Sequence, residues 1–124
     1  MAGLKVDILE KSCGFFTVML TGPLDTETHQ HFDYWLEKIL ISSTKAIILD
    51  MKGVDYISSM GISSIFGVRK KARENNFKLM MVNLQPKVKE ILDTVRAMPP
   101  EAIFNSIKEL EESLQTRPKN GEEN

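Results

Sequence analysis

The chain has 124 residues, 42% of them hydrophobic and 27% charged, with a formal net charge of −1. That is the length of one ordinary domain, enough to bury a core without staples, and a near-neutral balance argues against nucleic acid or an anionic membrane as the main partner. Cys13 is the single cysteine, so no internal disulfide forms, which fits a reducing, cytoplasmic setting.

Lys5, Asp7 and Glu10 interrupt the N-terminal apolar residues, so no signal peptide is expected there. Leu4, Val6 and Ile8 alternate with Lys5 and Asp7, the period of a half-buried strand. Ser12-Cys13-Gly14 offers a turn and Phe15–Thr21 resumes as a second strand, so the two read as a hairpin that Gly22-Pro23 ends. Asp25 and Thr26 present side-chain oxygens for a helix N-cap. Phe32, Trp35, Leu36, Ile39 and Leu40 follow at the spacing of one buried helix stripe, which Ser42-Ser43 breaks. Ala46–Leu49 is a continuous apolar run, as in a strand covered on both faces, and Asp50 closes it. It is far too short to cross a bilayer, so no membrane insertion is expected.

A loop is expected over 51–57 and a helix from Ser58 or Ser59, with Ile62, Ile65, Phe66 and Ala72 facing inward. Asn75-Asn76 stops it, since asparagine tolerates the left-handed conformation that closes helices. A strand over 79–82 and a helix opened by Pro86 follow, the latter with Val88, Ile91, Leu92 and Val95 as its stripe. After Pro99-Pro100, residues 102–104 suit a short strand. Ser106 and Glu109 make a capping-box pattern ahead of Ile107, Leu110 and Leu114. The methionines, Met80 and Met81 included, read as core filler. Thr116–Asn124 is polar and charged and is expected to be a disordered tail. The order β-β-α-β-α-β-α-β-α predicts an α/β domain over 1–115, with a mixed, mostly parallel sheet and flanking helices.

Most catalytic constellations are missing. No GxxxxGK[ST] occurs and no GxGxxG follows a strand, so nothing cradles a nucleotide. Cys13 alone does not make a thiolate metal site. His29/Asp33 and Glu27/His31 are i, i+4 pairs, which read as a solvated helix face rather than as metal ligands. No GxSxG elbow exists, and neither histidine lies in a loop after a strand, so no hydrolase is expected. Neither enzymatic activity nor a metal or other cofactor is therefore predicted. Arg69, Lys70, Lys71 and Arg73 read as cations set against the negative end of their helix and on a solvated face, with an acidic partner or an anionic surface as the alternative.

The most informative stretch runs from Leu49 to Ile62: a buried strand ends, a loop follows, and Ser58-Ser59 opens a helix. In doubly wound sheets the crevice beyond the strands' carboxyl ends is where partners dock. Either serine can serve as a plain N-cap. Either can also take a phosphate, about −1.5 to −2 charges that the free N–H groups and dipole of a helix start tolerate. Gly61, without a side chain, is expected to let a partner approach the first turn closely.

At these residues the chain resembles the STAS family of sulphate transporters and anti-sigma factor antagonists. Leu20-Thr21-Gly22-Pro23-Leu24-Asp25 looks like the family's Gly-x-Leu-Asp segment. Ile47–Val54 looks like its Leu-Asp-Leu-Ser-Gly-Val segment, and Ile57-Ser58-Ser59-Met60-Gly61-Ile62 its Asp-Ser-Ser/Ala-Gly-Leu segment. The resemblance implies a protein that, unphosphorylated, binds an anti-sigma factor that is also a serine kinase. Phosphorylation of a serine then switches the binding off, and a serine phosphatase restores it. That serine matches Ser59, less well Ser58. Asp25, Ser58, Ser59, Met60, Gly61 and Ile62 match the partner-facing rim, and Asp50 matches the aspartate that ends the central strand. Ser58 stands where the family usually has Asp, which motivates a second reading, an unphosphorylated STAS interaction or scaffold module. A third is a small-ligand domain using the crevice above the central strand.

Overall fold

The computed structural model describes residues 3–116. Strand alternation at the N-terminus becomes a hairpin: β1 (Lys5–Ser12) pairs antiparallel with β2 (Phe15–Thr21) across a turn where Gly14 takes φ 86°. A residue without Cβ reaches that conformation at low cost. β3 (Ala46–Gly53), β4 (Lys78–Val82) and β5 (Ile103–Phe104) then add in parallel, giving a five-stranded mixed sheet in the order β1-β2-β3-β4-β5. The crossovers are α1 (His29–Ile39), α2 (Ser59–Asn75) and α3 (Pro86–Val95), the last leading through a 3-10 turn at Pro100–Ala102; α4 (Ile107–Thr116) follows β5. This is the α/β architecture and element order that the periodicities predict.

Side chains alternate across a strand, so β3 feeds two cores. Ile47, Leu49 and Met51 meet Phe32 and Leu36 of α1, Ile65 and Val68 of α2, and Val88 and Leu92 of α3. Ala46 and Ile48 face the other way, with Met80, Val82 and Phe104, against Ile107 and Leu110 of α4. Each fully buried side chain of this size contributes about 1.5–3 kcal/mol.

Several expectations change. The strand order runs without reversal, so the sheet has no doubly wound switch point; the rim at the strands' carboxyl ends is built by converging loops. β3 continues past Asp50 to Gly53, because Thr21 of β2 pairs with Gly53. Residues 51–53, expected as loop, are therefore strand. Asp25 and Thr26 do not cap α1, whose cap position is Thr28. Asp25 instead closes the preceding turn, its Oδ1 accepting from the N–H groups of Glu27 at 3.0 Å and Thr28 at 3.1 Å. Trp35, Phe66, Val95 and Leu114 are exposed: one sheet face covers only one side of each helix, and these residues fall at the stripe's edge or the helix's end. Met60 is likewise exposed rather than core filler, while Met51, Met80, Met81 and Met98 are buried. Helix α2 closes on Asn76 at φ 58°, as expected. Thr116 ends α4; the remainder of the expected tail lies outside the described residues.

Candidate functional site

Two loops are laced together where α2 begins. Gly22 N–H donates to Gly53 O at 2.9 Å, Leu24 N–H to Tyr56 O at 3.0 Å, and Ser58 N–H to Leu24 O at 3.0 Å. Leu24 and Ile57 form a one-residue parallel bridge, and both are buried. The segment carrying Asp25 is thereby held beside the segment carrying the two serines. The adjacent strand end is tied as well. Asp50 Oδ1 accepts from Asn83 Nδ2 at 3.0 Å and from Lys52 N–H at 3.1 Å, and Gln85 Nε2 donates to Lys52 O at 2.7 Å.

The structure separates the two serines. Ser58, half-buried with extended backbone, is the N-cap: its Oγ accepts from Gly61 N–H at 3.4 Å, and its carbonyl starts the helix by accepting from Ile62 N–H. Ser59 is the first helical residue and is exposed, with no side-chain hydrogen bond among the described residues. The first turn of α2 contains no acidic residue, so the positive end of its dipole is not neutralised locally. Met60 is exposed beside Ser59, Ile62 is half-buried, and Asp25 is half-buried with Oδ1 engaged by its own turn.

Gly61 is buried, contrary to the partner-approach expectation. A Cβ there would collide with the Leu24 carbonyl and come within 2.9 Å of Ile57 Cγ1. The missing side chain lets α2 settle on the Leu24 strand extension; it opens no path for a partner. No local sequence signal announces this, since the approaching backbone comes from the far side of α1.

Other candidates resolve into structural roles. The basic cluster splits. Arg69 Nη1 donates to Arg96 O at 3.1 Å and Ala97 O at 3.0 Å, completing the end of α3, while Lys71 pairs with Glu37 of α1 at 3.3 Å. Arg73 alone occupies the last turn of α2. His29 pairs with Asp33 at 3.5 Å, and His31 packs edge-on against Trp35. Among the described residues no group of three or more His, Cys, Asp or Glu is placed to hold a metal. No helix among them is long and apolar enough to cross a membrane.

Comparison with known proteins agrees with this architecture. The STAS domain profile matches residues 8–110. BtrV of Bordetella bronchiseptica, a candidate anti-sigma factor antagonist, is 25% identical over 85 residues, covering 68% of this chain and 73% of BtrV. Among solved structures, the unphosphorylated form of the anti-sigma factor antagonist SpoIIAA superposes with a TM-score of 0.76 at 11% identity, over 92% of this chain and 99% of that one. The phosphorylated form of Bacillus SpoIIAA gives 0.71 at 11% identity, over 89% and 99%. The murine anion transporter Slc26a9 gives 0.75 at 17% identity, over 94% of this chain but 23% of the transporter.

Proposed function

The chain belongs to the STAS domain family, and we propose that it acts there as an anti-sigma factor antagonist, a cytoplasmic binding protein rather than an enzyme. In this reading it binds an anti-sigma factor with serine kinase activity through the rim formed by Asp25, Ser58, Ser59, Met60, Gly61 and Ile62. Phosphorylation of Ser59 ends that binding, a serine phosphatase restores it, and the cycle regulates transcription.

The observation that carries the reading is the division between the serines: Ser58 caps α2, which leaves the Ser59 hydroxyl exposed and unengaged. The similarity to BtrV supports this functional class. The fold is similar to both the unphosphorylated and the phosphorylated SpoIIAA, as expected if modification changes a surface and spares the fold. Within this reading Gly61, buried against Leu24, shapes the rim by letting α2 settle there and does not itself touch the partner.

The test is to incubate the purified chain with its kinase and ATP and map the phosphate by mass spectrometry. Phosphate on Ser59, with partner binding weakened in Ser59→Asp and its melting point little changed, is the expected result. No phosphate, or phosphate placed away from 58–59, overturns the switch.

A second reading is an unphosphorylated STAS interaction module attached to a transport or signalling assembly. It is favoured by Ser58 in the usual Asp position and by the similarity to a segment of Slc26a9. A pull-down that recovers transporter or scaffold subunits and no kinase distinguishes it.

A further inference from the structure

An open groove of about 390 Å³ runs between α1 and α2, walled by Leu36 and Leu40 on one side and Met60 and Val68 on the other. Two residues in it are poor choices for the fold alone. Gly67 stands at the centre of α2, and a Cβ there would meet nothing within 4 Å. A mid-helix glycine weakens a helix relative to alanine, and nothing in this fold requires one. Ser64 is 7% exposed and lines the same groove, yet its hydroxyl has no hydrogen-bond partner among the described residues. A buried hydroxyl left unpaired is costly, and a helical serine usually relieves this by bonding back to its own helix.

Residues that a simpler side chain would improve, gathered at one cleft, are the mark of a site where stability gives way to function. We infer that this groove binds a small neutral amphipathic molecule, with its apolar body against Leu36, Leu40 and Val68 over Gly67 and its hydroxyl or carbonyl on Ser64. The volume lies within the range of about 300–1,000 Å³ typical of small-molecule sites; the apolar walls are bordered by polar and charged side chains, with Ser64 the buried one among them. The groove's charged residues decide the sign. Asp33 and Glu37 face Lys71, with His29 paired to Asp33 at 3.5 Å and Lys71 to Glu37 at 3.3 Å. Two carboxylates against one ammonium disfavour an anionic head group. The site is separate from Ser59 and does not depend on the switch, although Met60 belongs to both.

The test is a titration of the full chain with 1-hexanol and, in a parallel arm, hexanoate, followed by backbone amide shifts. Hexanol is expected to shift residues of 33–40 and 60–71, and hexanoate to bind more weakly. Ser64→Ala should raise the melting temperature while weakening hexanol binding roughly three- to tenfold, the value of one hydrogen bond. Gly67→Leu should fill the groove and abolish the shifts in a chain that stays folded. The inference is overturned by a groove silent to hexanol up to its solubility limit, by shifts that persist in Gly67→Leu, or by tighter binding of hexanoate. A groove silent to both compounds but protected in a protein complex also overturns it, in favour of a macromolecular occupant.

Discussion

Two glycines on one helix should respond to the same substitution with opposite signs. At Gly61, an added Cβ strikes the Leu24 carbonyl and approaches Ile57 Cγ1 to 2.9 Å. Both obstacles are fixed: the Leu24 carbonyl accepts the Ser58 N–H at 3.0 Å, and Ile57 is buried in the core. Overpacking a tight site costs about 1–3 kcal/mol, and loosening the Ser58–Leu24 bond adds about 0.5–1.5 kcal/mol. Against this, alanine gains up to about 1 kcal/mol over glycine in a helix. Gly61→Ala should therefore destabilise by about 1–3 kcal/mol net, a fall in melting point of roughly 3–5 °C per kcal/mol for a chain of this size. Gly67→Ala meets no neighbour within 4 Å, so only the helix term remains and the variant should gain about 0.5–1 kcal/mol. Urea denaturation followed by circular dichroism compares the two directly, because each midpoint shift at constant slope is a stability change. If Gly61→Ala matches or exceeds the wild type, the backbone approach is not what requires glycine there, and the partner-facing explanation of Gly61 regains its ground.

Ser58→Ala should lose about 0.5–2 kcal/mol, the usual cost of removing an N-cap, towards the low end because the Oγ to Gly61 N–H distance is long at 3.4 Å; Ser59→Ala in the same denaturation assay should change stability by less than about 0.5 kcal/mol. An equal loss in both would contradict the assignment of the cap to Ser58. Arg96 closes α3 at φ 55°, a conformation that costs a residue with Cβ about 1 kcal/mol or more. Arg96→Gly should thus gain up to about 1 kcal/mol in thermal unfolding, and a loss would show that the arginine side chain itself supports the fold. Asp50→Ala leaves Asn83 Nδ2 without its 3.0 Å acceptor and should cost about 1–2 kcal/mol; weakened amide protection at 83–85 in hydrogen exchange is the local sign, and unchanged protection would refute it.

Much of the fold was legible because its signals are local. The β1–β2 hairpin reads from alternation and Gly14, and the ends of α2 and α3 read from Asn76 and Pro86. What was not legible depends on distant partners. Nothing in Met51-Lys52-Gly53 itself says strand; the pairing of Thr21 with Gly53 decides it. Trp35 and Phe66 fit a buried stripe by spacing, yet each sits one residue from the centre of its helix's buried line at Leu36 or Ile65, and a helix touching one sheet face covers only that line. At the site, the motif located both serines, but one residue of helix boundary determined which hydroxyl is engaged. Gly61 and Gly67 are the same letter in the same helix, and only the Leu24 carbonyl tells them apart.

That one-residue boundary also bears on the serine that replaces the family's usual aspartate. A phosphate on Ser58 would displace the acceptor that Gly61 N–H now has and place about two charges on a half-buried group. A phosphate on Ser59 disturbs no existing bond, stands in solvent, and meets a helix end carrying roughly half a positive charge with no acidic residue in its first turn. The interaction of a single charge with that end is worth about 0.3–1 kcal/mol in the stabilising direction. A chain modified there would therefore keep its stability while gaining about two negative charges beside the apolar Met60. A partner that buries Met60 and Ser59 together then has to desolvate the phosphate, which costs several kcal/mol unless paired. With Ser58 holding the helix start, the energetic consequence of the proposed modification would fall on the contact with a partner and not on folding.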